Sequence, residues 1–206
     1  MRKVTCRCES VFDADLPETI DLDAGSVKRE ALIDDILGGT FFQVSCPACG
    51  AILKPELRVR IVSKSEGLDL TLIPELDRMA LYRGVVELPK GGQVLVGFGE
   101  LFERARIMAD GLDPEVVEIL KYWLLAKAEE SAPEALVSVS FAGIEGGKLR
   151  FHLAGLKEGE VAVLQVGRDL YDKTLAEKTR SLRAAPFDRI FGGPYRSIRI
   201  LESEDE

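Results

Sequence analysis

The sequence has one histidine, His152, and that scarcity removes whole classes of site. No histidine-rich metal centre can be built, and a histidine-dependent catalytic triad would rest on this residue alone. It lies in Leu149-Arg150-Phe151-His152-Leu153, where alternation turns it to the polar face of a strand. A phosphate-binding glycine loop ending in Lys-Ser or Lys-Thr is missing, and Gly97-Phe98-Gly99 lacks the rest of a dinucleotide fingerprint. No apolar run approaches bilayer-spanning length; the richest, residues 116–125, is short and contains Glu118 and Lys121. The amino terminus, Met1-Arg2-Lys3-Val4-Thr5-Cys6, runs into cysteines and acids, not an apolar signal core, so the expectation is a cytoplasmic protein without a membrane partner. Excess positive charge is lacking too. A net charge of -8 disfavours broad attraction to phosphate backbones.

What is present begins with bulk. At 206 residues, 46% hydrophobic and 30% charged, the chain can bury a proper core in one large domain or two small ones. The four cysteines stand in two pairs, Cys6-Arg7-Cys8 and Cys46-Pro47-Ala48-Cys49-Gly50. Thiolates so spaced can point at one cation across a tight turn, Pro47 pre-setting the turn and Gly50 supplying a positive φ to close it. In a reducing compartment such pairs read as ligands or redox thiols rather than structural disulfides. Together, Cys6, Cys8, Cys46 and Cys49 complete a tetrahedral Zn²⁺ shell, with the chain from Glu9 to Ser45 as an excursion from it. A shell filled by four sulfurs leaves no position for an activated water, so the site reads as structural and the chain as not an enzyme. The rival is a thiol redox pair. A thioredoxin-like dithiol sits at a helix N-terminus with proline before its second cysteine, whereas here Pro47 follows the first and strand follows the pair.

Taken in order, residues 9–16 alternate as a strand ended by Pro17, and residues 26–37 repeat at helical spacing with Ser26 as N-cap and Gly38-Gly39 as stop. Phe41-Phe42-Gln43-Val44 reads as the strand entering the second cysteine pair, and Ala51-Ile52-Leu53 as the strand leaving it, the frame of a zinc ribbon. Residues 57–62 and 68–73 form a hairpin, Leu81-Tyr82 and Val85-Val86 are short edge segments, and residues 93–96 another strand, with Pro74, Pro89 and Gly91-Gly92 as punctuation. The first half thus reads as antiparallel.

Residues 100–110 and a second helix capped by Asp113 with Pro114 at its first position read as a helical hairpin. The second helix is apolar over most of its circumference through Val116, Val117, Ile119, Leu120, Trp123, Leu124 and Leu125. It is either a core helix, with Trp123 inside, or a homodimer surface over residues 113–127. Strands at 136–141, 148–153 and 161–166 suggest a meander, followed by a helix over 170–182, a closing strand over 195–201 and a frayed acidic tail over 202–206. The fold class is α+β: an N-terminal antiparallel, zinc-ribbon-like β domain over 1–96, then an α+β region over 97–206 with a helical hairpin and a small antiparallel sheet.

Cys46-Pro47-x-Cys49-Gly50, the preceding Leu37-Gly38-Gly39-Thr40-Phe41-Phe42 and the earlier Ile20-Asp21-Leu22 resemble the CpXC domain over about the first ninety residues. The resemblance implies a zinc-binding, metal-stabilised module and implies no activity. The chain departs from the family pattern at Cys6-Arg7-Cys8, where two intervening residues and a proline are usual. Asp13, Asp15, Asp21 and Asp23 lack a Ca²⁺-loop pattern and read as solvated faces or turn caps. Residues 168–199 are rich in arginine and lysine, with Phe187, Phe191 and Tyr195 interleaved. They offer an RNA- or DNA-binding alternative to a solvated helix face and packed turn. The preferred reading is a zinc-binding, non-enzymatic module that presents surfaces to another protein, its partner not named by the sequence.

Overall fold

The hairpin written into Val59-Arg60-Ile61-Val62-Ser63 and Leu68-Asp69-Leu70-Thr71-Leu72-Ile73 is the centre of the first of two units, Met1–Phe102 and Glu103–Glu206, into which the computed structural model divides. The structure describes residues 1–24, 28–88 and 91–204, the last three by their backbone alone. Ser26 and Val27, Pro89 and the end of the acidic tail lie outside the described residues.

Unit 1 opens with β1 (Arg2–Thr5) and β2 (Val11–Ala14), an antiparallel pair. Then come β3 (Thr19–Asp21), α1 (Arg29–Gly38), and the two-residue strands β4 (Val44–Ser45) and β5 (Ile52–Leu53), which pair with each other. The hairpin strands β6 (Val59–Ser63) and β7 (Leu68–Ile73) follow, then a 3-10 turn (Glu75–Asp77), α2 (Arg78–Tyr82) and β8 (Gln93–Val96). The main sheet runs β3-β6-β7-β8.

That sheet corrects the antiparallel expectation for the first half. Only β6 and β7 pair antiparallel, while β3–β6 and β7–β8 pair parallel. Alternation reports which face a residue buries but not strand direction. A parallel neighbour needs a crossover, and the chain supplies one between β7 and β8 through α2. Leu81-Tyr82 is accordingly helical and not an edge segment, and Val85 is exposed outside any strand. The cause is Arg78, buried, whose guanidinium binds Glu75 and, at 2.9 Å, Glu100.

Helix α1 stops where expected. Gly39 adopts φ 72 and its N–H donates to Ile36 O. Its N-cap position is Lys28, without a side-chain cap, so the helix starts later than the Ser26 expectation. The strand expected over 41–44 shrinks to β4, because Phe41 and Phe42 stack at 4.3 Å, Phe42 at φ 56, and Phe98 meets Phe41 edge-on at 6.1 Å. Aromatic burial there overrides strand propensity. Asp23 is a turn cap: its carboxylate accepts the Ser63 and Ser65 hydroxyls and the Lys64 and Ser65 N–H groups. Those bonds, the Ser65 hydroxyl foremost, hold its pKa down at about 2.

The division between units falls within α3 (Gly97–Ala109). Unit 2 continues with α4 (Pro114–Ser131), β9 (Ser138–Glu145), β10 (Lys148–Ala154), β11 (Val161–Val166), α5 (Arg168–Ser181), α6 (Phe187–Ile190) and a 3-10 turn (Ile198–Glu204). The Asp113 carboxylate caps α4 by accepting from the N–H groups of Glu115 and Val116 at 2.9 and 3.2 Å. The strands form the expected antiparallel meander, ordered β11-β10-β9. Helix α4 buries Val116, Val117 and Leu120 with Phe141, Leu149, Phe151 and Tyr171, and on a second side Ile119 with Phe187, Ile190 and Ile198.

Those two clusters account for the wide apolar surface of α4, and Trp123 falls outside both, 40% exposed rather than in the core as expected. The closing strand expected over 195–201 is also corrected. Ser197 and Ile198 are both buried, which an alternating strand does not allow, and the chain turns into the 3-10 helix. Glu118 holds that turn by accepting the Ile198 N–H at 2.9 Å, while Lys121 bridges Glu118 at 2.7 Å and Glu103 at 2.9 Å. Burial alone would lower the Lys121 pKa, but the two carboxylates outweigh it and raise it. His152 is exposed on the polar face of β10, as alternation requires.

Candidate metal centre

Two backbone turns carry the cysteines, and the hydrogen bonds that close them match one for one. In the second, the Cys46 N–H donates to Ala51 O and the Gly50 N–H to Cys46 O, both at 2.9 Å, with Gly50 at φ 73. In the first, the Cys6 N–H donates to Ser10 O and the Glu9 N–H to Cys6 O, again at 2.9 Å, with Glu9 at φ 67. The first turn is the second with one residue removed, the residue by which Cys6-x-Cys8 is shorter than Cys46-x-x-Cys49. Each turn ends on a left-handed residue.

The two turns face each other. Cys6 Sγ lies 3.6 Å from Cys49 Sγ and Cys8 Sγ 3.7 Å from Cys46 Sγ, and all four sulfurs lie within 4.8 Å of one another. Cys6 and Cys46 are buried, Cys8 and Cys49 exposed, so each turn contributes one inner and one outer sulfur and each inner sulfur opposes an outer one. None is in a disulfide. A Zn²⁺ about 2.3 Å from each of four sulfurs requires tetrahedral edges of about 3.8 Å, which the 3.6 and 3.7 Å separations approach. All four residues singled out from the sequence are brought together, and the donor set fits a thiophilic cation.

The electrostatics suit the exchange of protons for a cation. The Cys49 and Ala48 N–H groups turned towards Cys46 lower its thiol pKa to about 6, against the opposing effect of burial. Cys49 goes the other way: the Ala51 N–H pulls it down, but Cys8, Cys6 and Cys46 crowd it and push it up to about 12. Thiols packed this closely cannot all ionise without a positive charge among them.

Glu9 is the turn residue of this centre that sequence reasoning missed. Its signal was indirect: the first pair has no glycine after its second cysteine, so another residue must take the left-handed position that closes the turn. Beside the centre lies a groove of about 420 Å³ between β1 and β5, with Arg7 and Lys54 in its walls. Among the described residues, each of those strands pairs on one side only. No helix among the described residues is long and apolar enough to cross a membrane.

Comparison with known proteins agrees with the cysteine motifs. The CpXC protein family model matches residues 4–121, past the first ninety residues and into α4. An uncharacterised protein of Treponema pallidum (strain Nichols) is 28% identical over an alignment 222 positions long that covers 97% of each chain. No solved structure matches the chain. With more than half of its length matched and its paired cysteines gathered at one point, the chain belongs to the CpXC family.

Proposed function

We propose that Cys6, Cys8, Cys46 and Cys49 hold one Zn²⁺ in a closed, structural site of zinc-ribbon type, and that the chain is a non-enzymatic, cytoplasmic protein-interaction module. The observation that carries this reading is the gathering of four free thiols, all within 4.8 Å of one another, from two matched turns. Four sulfurs fill the coordination shell, so the metal would tie residues 6–10 to residues 46–51 and leave no position for an activated water. The groove beside the centre, with Arg7 and Lys54 in its walls, supports the interaction part as a concave surface next to the cysteine turns.

Structural detail in residues 168–199 also favours this reading over nucleic-acid binding. Phe187 and Tyr195 are buried, and a base cannot stack on a ring in the core. Arg168 pairs with Asp172, Lys178 with Asp113 and Glu115, and Arg196 with Glu115.

The test is metal content by inductively coupled plasma mass spectrometry, with thiols titrated on the same native sample. One zinc per chain, with four thiols released only by a chelator, is the expected result. Metal-free protein with an oxidisable Cys46/Cys49 pair would replace this reading with thiol redox chemistry.

A further inference from the structure

Edge strands with open hydrogen-bonding groups invite other strands, and proteins blunt them with charge, brevity, bulges or cover. Most edges of this molecule are blunted in that way. β1 carries Arg2 and Lys3, and β2 carries Asp13. β3 has three residues and an aspartate, β4 and β5 have two residues each, and β8 is short and largely buried. β9 slips register around Ala142 and carries Glu145.

β11 has none of these devices. Its six residues, Val161-Ala162-Val163-Leu164-Gln165-Val166, contain no charge, no proline and no bulge, and pair only with β10 among the described residues. Ala162, Leu164 and Val166 stand opposite the buried Leu153, Phe151 and Leu149, on the side where burial deepens along the strand from the exposed Ala162 through the half-buried Leu164 to the buried Val166. The odd positions face out, where Val161 is 56% and Val163 50% exposed.

We infer that β11 is a self-association edge, and that a second copy of this chain pairs with it antiparallel about a two-fold axis to make one continuous six-stranded sheet. The occupant follows from the strand's own pattern. A net charge of -8 opposes association of two copies, and β11, which carries no charge, is the edge on which a second copy's β11 meets no repulsion from the facing strand. A two-fold axis through Val163 or Leu164 opposes odd positions to odd and even to even, so both faces of the joined sheet keep their character. Either register brings Glu158 and Glu160, just before β11, towards the far end of the other copy's β11, where Arg168 stands beside Asp169. The monomer's own Lys157–Glu160 and Arg168–Asp172 pairs are exposed and weak enough to be exchanged. The proposal rests on the interaction reading above and adds to it a second surface, on β11, with its own partner. Its readout is the mass of the assembly, separate from the metal content that tests the zinc site.

The experiment is light scattering coupled to size exclusion on the full chain over a range of concentrations, with circular dichroism as the check on folding. The expected result is twice the mass of one chain. Val163→Lys sets two ammonium groups close together across the seam and should weaken the dimer at least about 100-fold, whereas Val163→Thr and Trp123→Lys should leave it intact. Arg168→Glu should weaken it about tenfold, because a two-fold dimer contains the contact twice, and adding Glu158→Arg and Glu160→Arg should restore it. A monomer at every concentration, a dimer indifferent to Val163→Lys, or a dimer broken by Trp123→Lys would each overturn the proposal. If Val163→Lys does not fold, amide exchange of the wild-type chain decides: protection of residues 161–166 that rises with concentration supports it, and protection independent of concentration overturns it.

Discussion

The two cysteine turns differ by one residue and by the residue that closes them, yet they present their sulfurs in the same way. The longer turn, from Cys46 to Ala51, has a proline to begin it and Gly50 at φ 73 to close it. The shorter, from Cys6 to Ser10, has neither, and Glu9 takes φ 67 in the place of the glycine. Both still give one buried and one exposed thiol, and the separations across the gap are nearly equal at 3.6 and 3.7 Å. The backbone hydrogen bonds around the first cysteine therefore define the half-site, and the number of residues between the cysteines is free to vary by one. Local strain is what the shorter turn carries in exchange.

The sharpest way to break the comparison is to remove one sulfur from each turn. If the half-sites are equivalent, Cys6→Ser and Cys46→Ser should each lose the metal almost completely and destabilise unit 1 by several kcal/mol, since structural zinc contributes about 10 kcal/mol or more to folding. Metal content and thermal melting, with and without a chelator, measure both. Retention of tight metal binding in Cys6→Ser, but not in Cys46→Ser, would reduce the first turn to a bystander.

How much of this was legible in the sequence follows from what each signal reports. Spacing and turn residues named all four cysteines, and Asp113, Pro114 and Gly39 marked helix ends because capping is a local property. Alternation found β6, β7, β10 and β11 for the same reason. Direction was hidden: the parallel pairings of β3 with β6 and β7 with β8 depend on where crossovers return the chain, which no single segment encodes. The helix at Leu81-Tyr82 depends on Arg78 finding Glu75 and Glu100, and the 3-10 turn after Ser197 on Glu118 far away in sequence. Trp123 was misplaced because apolar spacing shows that a helix has several covered sides but not which side remains open. In the centre itself, Glu9 stayed hidden because its one signal is indirect, the missing glycine after Cys8.

A smaller effect sharpens the comparison from the glycine side. Gly50→Ala meets no atom within 4 Å, so its cost is purely conformational. A left-handed non-glycine residue costs about 1–2 kcal/mol, of which the lower entropy of the unfolded alanine chain returns about 0.5–1 kcal/mol. The expected outcome is a net loss of about 1 kcal/mol, read as a lower melting temperature at unchanged metal stoichiometry. A loss of metal would mean that Gly50 sets the sulfur geometry as well as the turn.

An effect of no greater size has the opposite sign and comes from the other turn. Glu9 is exposed, and what distinguishes it is its backbone at φ 67. Glu9→Gly should therefore relieve the left-handed strain, about 1–2 kcal/mol, at the expense of about 0.5–1 kcal/mol of added unfolded-state entropy. The difference predicts stabilisation by up to about 1 kcal/mol, and Glu9→Asn, which tolerates the left-handed region without glycine's freedom, should match or exceed it. Chemical denaturation of the zinc-loaded protein can read a shift of this size. Stabilisation by both variants would establish that the shorter turn carries left-handed strain at Glu9, and destabilisation by both would show that the Glu9 side chain makes a contribution the backbone comparison leaves out.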